Sequence, residues 1–316
     1  MENMDTARAV PTKMRRRSRR TVYRSIWGTV MSLPVLVPFI VFGIVPLAWL
    51  LVISVTDYDG FLQMSFVGAE NYVEVMGDSR WWRSVANTLI IAVCAVVIQL
   101  PIGFGLAVLL NAASKRIATT FRTVFFLPYI IPAMICGVLF GFLVGPTRLG
   151  IVNDLLMNLG LVDSPVTFLG TRVGALAVIV IATAWMEFGF TLLLFHAGLQ
   201  SVPEELYEAA ALDGASRWRS LVSITLPMLR PIINVILLLA MVSVMKSFDV
   251  VKSLTNGGPA GASDVMFTHI YDLFFSQQIY SRIGYASAVS VVASVIIAVS
   301  VGVVFLMIGR GRKKGA

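Results

Sequence analysis

The side chains of this chain that could do chemistry are few and unusually placed. Glu187 sits in WMEFGFTLLLF, inside a long apolar run, with Phe190 three residues on and so near the same helix face. An ionisable group there is expensive to hold away from water. It either accepts hydrogen bonds from a polar ligand or ties helices together by accepting from a neighbouring Ser or Thr. A second polar group, Ser243, Ser247, Phe248 and Asp249, closes another apolar run, and Lys246 is spaced to pair with Asp249 as a purely structural alternative. A third lies in SVPEELYEAAALDGASRWRSLVSITLP, Ser201 to Pro227, where Glu204, Glu205 and Glu208 precede Ala209, Ala210, Asp213 and Gly214.

Other chemistries lack their residues. No G-x-x-x-x-G-K-[ST] phosphate loop is present, and the Gly and Lys cluster from Gly309 to Gly315 is a basic tail after an apolar run, so ATP hydrolysis belongs to another chain. His196 and His269 have no cysteine or carboxylate at ligand spacing, and Cys94 and Cys136 fall in apolar runs as packing groups. No metal, catalytic set or cofactor bound by this chain is expected.

The elements that must position these residues follow from composition. With 57% hydrophobic and 13% charged residues in 316, the chain has more apolar surface than a soluble core can hide. About 20 apolar residues cross roughly 30 Å of hydrocarbon. Runs meeting that length lie at Leu33 to Val55, Val85 to Leu110, Phe121 to Val144, Gly174 to Leu199, Pro227 to Ser247 and Gly284 to Ile308. The fold class is therefore an all-α membrane protein of about six spans. Pro128 and Pro132 in the third run and Pro227 and Pro231 in the fifth remove backbone donors, so bends or entry turns are expected there.

The formal charge of +8 would suit nucleic acid, but the basic residues sit at the ends and in alternate loops, so no nucleic-acid partner is implied. Eighteen Lys and Arg fall on the side of the termini and seven on the other, which places both termini in the cytoplasm. The first run is too long for a signal-peptide core and is followed by Asp57-Tyr58-Asp59-Gly60 instead of a cleavage site, so it is read as retained. The organisation is a basic tail at 1–32, a transmembrane domain at 33–308 and a basic tail at 309–316.

The segment 200–227 reads as a helix, turn, helix elbow at the cytoplasmic face. Ser201 and Glu204 have capping-box spacing, Pro203 is tolerated in a first turn, and the helix should run to about Leu212, where Gly214 stops it. Arg217 to Ile224 forms a second short piece leading to Pro227. The three glutamates favour the positive helix start, and Ala209, Ala210 and Ala211 leave a surface that a partner backbone can approach. By itself such a helix also fits a solvated connector.

The order Glu208-Ala209-Ala210, Gly214, Ile224, Leu226, Pro227 resembles the signature loop of ABC-importer permeases, with Leu221 where an aromatic residue is often found. FVGAENYVEVM from Phe66, Asn87-Thr88, LTNGGPAGASD from Leu254 and Ile283-Gly284-Tyr285-Ala286-Ser287-Ala288 resemble the sugar-type members, and the likeness covers nearly everything beyond Ser32. The resemblance implies a type I ABC-importer permease fold in a bacterial inner membrane. It implies a second homologous permease as partner, two ATPase subunits carrying ATP and Mg, and an extracytoplasmic binding protein. Glu204, Glu205, Glu208, Ala209, Ala210, Asp213 and Gly214 would couple to the ATPase. Glu187, Phe190, Ser243 and Ser247 would face a carbohydrate, with Phe248 and Asp249 beside them, and Asp57, Asp59, Glu70, Glu74 and Asp78 could meet the docking protein. Glycerol phosphate or a polyol remains open as substrate, and a self-sufficient secondary transporter using Glu187 is the competing class.

Overall fold

The computed structural model describes residues 30–61, 64–276 and 282–313, with side chains to 306; the basic tails expected at the two ends fall largely outside them. The chain forms two compact units, Met1–Val52 and Ile53–Ala316. Helix α1, Val30–Ile53, is 24 residues long and apolar enough to cross a membrane. Its turn at Ile40–Ile44 is π-helical, the Val45 N–H donating to the Ile40 carbonyl. Pro46 lies two residues beyond that turn. Its ring presses on the carbonyl four residues back and it offers no N–H, and the widened turn relieves both.

In the second unit an isolated bridge joins Thr56 to Phe66. Then follow α2 (Glu70–Gly77), α3 (Ser79–Asn111), α4 (Lys115–Ile130), α5 (Ala133–Leu143), α6 (Ile151–Asn158), α7 (Arg172–Leu199) and α8 (Glu204–Leu212). The chain continues through α9 (Arg217–Met245), α10 (Asp249–Leu254), α11 (Met266–Phe275) and α12 (Ile283–Lys313). Among the described residues five helices are long and apolar enough to span, and a sixth crossing exists if the bent pair α4 and α5 counts as one.

That pair corrects the third expected span. Phe121 to Val144 is not one straight helix: α4 and α5 meet at 94°. Ile131 and Pro132 between them are extended, as the residue before a proline prefers. The fifth span is also corrected. Pro227 does not open it; α9 starts at Arg217 and absorbs Pro227 through a second π-helical turn, Leu221–Thr225, placed two residues before the proline as in α1. The elbow's second piece and the fifth span are thus one helix. The last helix likewise runs past Ile308 into the tail, to Lys313.

Helix starts are set by side-chain caps: Asp78 accepts from the Arg80 and Trp81 amides at α3, and Thr171 from Gly174 at α7. Helices α3 and α7 lie side by side and run the same way, Asn87 level with Arg172 and Gly103 level with Thr191. Helix α9 runs against them, with Leu229 and Ile232 beside Gly198 and Ser243 beside Glu187. The core between them is built of Trp81, Ile91, Ile179, Met245 and Met266, all buried. At the end away from α8 the loop before α11 is clamped. Asn87 donates to the Ala262 and Asp264 carbonyls at 2.9 and 2.7 Å while accepting from Arg172 at 2.8 Å, and Thr88 accepts from the Met266 amide. Buried Asp264 accepts from Arg80 at 2.8 Å.

The crossing of α4 over α7 depends on Gly189, where a Cβ would lie 2.1 Å from the Phe125 carbonyl oxygen. Gly189 thus allows a close backbone approach, and α7 does not break there. We predict that Gly189→Ala lowers unfolding stability in detergent by about 1–3 kcal/mol, while Gly105→Ala, where a Cβ meets open space, does not. Equal midpoints for the two variants would contradict a crossing set by backbone contact.

Candidate functional site

Glu187 lies about 22 Å along α7 from Arg172 and about 18 Å from Leu199, close to the middle of that spanning-length helix. Its Oε1 accepts from the Ser243 hydroxyl of α9 at 2.8 Å. Around it α4, α7 and α9 enclose a 210 Å³ cavity whose wall includes Tyr129, Glu187, Phe190, Thr191 and Ser243, backed by Leu194, Ile236 and Leu239. The Tyr129 and Phe190 rings are stacked, centroids 4.9 Å apart and planes 12° from parallel. The cavity thus sets one carboxylate and three hydroxyls, those of Tyr129, Thr191 and Ser243, beside paired aromatic faces, a lining suited to a ligand with hydroxyl groups and an apolar ring face.

Of the six residues expected at a pocket, the structure brings Glu187, Phe190 and Ser243 together. It leaves Ser247, Phe248 and Asp249 outside the lining. Helix α9 ends at Met245, so the four-residue step from Ser243 to Ser247 no longer follows a helix face. Phe248 packs on Tyr271 at 5.2 Å, and Asp249 begins α10. Lys246 is exposed, and no ion pair joins it to Asp249 among the described residues. Tyr129 escaped sequence reading because its partnership with Phe190 crosses between helices; its signal was an aromatic beside the break at Pro132.

The elbow is the second candidate. Helix α8 carries Glu204 and Glu205 in its first turn and contains no buried residue. Glu204, Glu205, Glu208, Ala209, Asp213 and Gly214 are exposed, and Ala210 is half-buried. The expected capping box does not form. Pro203 is the N-cap, and the Ser201 hydroxyl donates instead to the Gly198 carbonyl at 2.7 Å, too early to reach the first amides of α8. The stop at Gly214 does form. Its φ is +73°, the Ala215 amide donates to the Ala210 carbonyl and the Gly214 amide to Ala211, closing a Schellman motif. Leu212, 90% exposed, and Trp218, 73% exposed, stand on this polar elbow as apolar groups without cover, and sequence reading passed over both.

Residues 99–312 match the family described as the binding-protein-dependent transport system inner membrane component. The chain belongs to that family. This permease is therefore a multi-pass inner-membrane transport subunit and not an enzyme. It is 34% identical to the trehalose/maltose transport system permease protein of Thermococcus litoralis over 90% of this chain and 94% of that one. It is also similar to a chain in the crystal structure of a bacterial ABC transporter involved in import of the acidic polysaccharide alginate, with a TM-score of 0.79 and 26% identity, covering 93% of this chain and 99% of that one. A chain in the crystal structure of a bacterial alginate ABC transporter in complex with an alginate pentasaccharide-bound periplasmic protein gives a TM-score of 0.77 at 25% identity, covering 91% of this chain and 96% of that one.

At the end away from the elbow, the acidic residues expected to face a partner divide. Asp57, Asp59, Glu70 and Glu74 line a 260 Å³ recess with Arg282 on its rim, whereas Asp78 caps α3 and accepts from Tyr285 at 2.7 Å. His269 is a packed residue, buried beside Trp81, and that burial pushes its pKa below the ordinary histidine value. Glu74 receives both arms of the Arg282 guanidinium, and these hydrogen bonds hold its carboxyl below the usual 4.5. A carboxyl lowered in the folded state stabilises above its unfolded pKa, and that gain is lost as pH falls through the folded value. Because both partners are about half exposed, Arg282→Gln should cost only about 0.5 kcal/mol at pH 7. Thermal melts of parent and variant should converge as pH falls below the usual 4.5 and through the lowered folded value; a difference that persists once the carboxyl is protonated would place the effect elsewhere.

Proposed function

We propose that this permease carries a sugar or oligosaccharide through the inner membrane, driven by ATP hydrolysed with Mg on two partner ATPase subunits. A second homologous permease completes the pathway, and an extracytoplasmic binding protein delivers the ligand. The functions of the relatives, trehalose/maltose transport and alginate import, support the carbohydrate class. So does a mid-membrane carboxylate beside stacked aromatic rings, because sugar hydroxyls suit charge-assisted hydrogen bonds and the apolar sugar face suits a ring. A periplasmic protein bound to the alginate transporter supports the delivery step.

One observation carries the mechanism. Helix α9 begins in the elbow at Arg217 and, near its other end, places Ser243 on Glu187. We read the elbow, residues 200–227, as the element that seats on the ATPase. Closure of the ATPase then displaces α8 and tilts α9, which alters the Glu187–Ser243 wall and switches the cavity between outward and inward access. The exposed Leu212 and Trp218 are the apolar contacts such a seat would bury, and the exposed glutamates of α8 are its polar rim. The elbow faces the cytoplasm in this reading, as do both termini.

Glu187→Gln keeps shape but loses charge-assisted strength, and Phe190→Ala removes a ring face. Glu187→Gln should raise the half-saturating ligand concentration by about tenfold or more, from about 1.5–3 kcal/mol per charged contact, and Phe190→Ala should raise it by a smaller factor through the lost ring contact, both with ligand-free ATPase activity unchanged. The check is uptake against concentration, normalised to assembled complex; reduced assembly with an unchanged concentration dependence would leave Glu187 a helix tie. Gly214→Val forces a branched residue to φ +73°, where a Cβ meets open space, so the penalty is conformational alone. It should lower transport while membrane insertion persists, and normal transport would remove the coupling role of the elbow.

A further inference from the structure

Helix α8 has little to hold it. Only Tyr207 and Ala210 are half-buried along it, and Tyr207 is the α8 side chain packed against the core cluster of Phe195, Leu199 and Leu229. Behind the elbow lies a 300 Å³ cavity bounded by Val108 and Asn111 at the end of α3, by Ala211 and by Arg217 of α9, so broad packing does not join α8 to the bundle. One polar contact crosses the gap. The Tyr207 hydroxyl lies 2.8 Å from the Thr225 hydroxyl. Thr225 is 2% exposed and is the last residue of the π-helical turn that absorbs Pro227.

The location of this contact matters more than its strength. A π-helical turn is the place where a helix is least bound by regular bonding, and α9 bends most readily there. Thr225 also lies 3.4 Å from the Ser220 carbonyl, so its hydroxyl can donate within the turn while accepting from Tyr207. The tyrosine therefore grips the turn through a group that is itself tied across it. With a buried partner on one side, water competes weakly for the bond.

We propose that Tyr207 is a positioning residue for transport. Its hydroxyl, held by Thr225, makes α8 and the first turns of α9 move as one body, so that displacement of the elbow reaches the transmembrane helix instead of being spent at the π-helical turn. This rests on the coupling reading above. Tyr207→Phe removes the bond and keeps the ring in its apolar cluster, and Thr225 retains the Ser220 carbonyl, so the fold should survive.

The test uses the full transporter in lipid nanodiscs, with Cys94 and Cys136 replaced by serine and spin labels at Leu212→Cys on α8 and Val235→Cys on the exposed side of α9. Distances between the labels are measured by pulsed resonance without nucleotide and with ATP and vanadate. In the parent the distribution should be the same in both states. Tyr207→Phe should raise the population of a second, shifted distance by about two- to tenfold with ATP and vanadate, the factor that a net hydrogen bond of about 0.5–1.5 kcal/mol supplies. Thr225→Val should match it, the double variant should add nothing further, and Thr225→Ser should behave as the parent. The label at Leu212 separates the two hypotheses. If adding the ATPase subunits does not immobilise it, the coupling reading falls and this inference with it. If it is immobilised and Tyr207→Phe leaves the distances unchanged, or if the single effects simply add, the inference alone is overturned.

Discussion

A backbone that crosses lipid must satisfy its own hydrogen bonds, and the irregularities at Pro46, Pro132 and Pro227 are answers to that demand. Prolines are the test cases. Pro46 and Pro227 are absorbed by π-helical turns at the same offset, which keep α1 and α9 continuous. Pro132 is handled differently: the helix stops, the chain extends through Ile131, and α5 leaves at 94° packed against α10. Continuity at Pro227 lets one helix belong to both the elbow and the cavity. The break at Pro132 brings the end of α4, with Tyr129, against Phe190.

The features that sequence made legible are those decided locally. Apolar length located α1, α3, α7 and α12 to within several residues, because the thickness of the hydrocarbon dictates it, while the third and fifth runs gave their existence without the break or the start. Gly214 was readable because a left-handed residue after an alanine-rich helix has few alternatives, and its φ of +73° is what the spacing asked for.

Features decided by competition or by distance in the chain were not legible. Ser201 had a choice between the start of α8 and the carbonyls at the end of α7, and it took the nearer group. Ser247 and Asp249 looked like a continuation of the Ser243 face because periodicity does not announce that α9 ends at Met245. Tyr129 needed a partner 61 positions away, and Tyr207 needed one 18 away. The motif segments Asn87-Thr88 and the loop from Leu254 were each noticeable, but only coordinates show that they bond to each other.

That last clamp bears on how the protein is made. Arg80 and Asp264 are 184 residues apart in sequence, and Asn87 and Asp264 are 177 apart. At a synthesis rate of about 5–20 residues per second, the basic start of α3 waits roughly 10–40 s for its carboxylate. Arg172 reaches Asn87 in about half that time and can occupy its oxygen first. The contacts therefore become possible in stages: the α3–α7 latch can close while the ribosome is still translating, and the loop before α11 can lock the bundle, at the end away from α8, only late in synthesis.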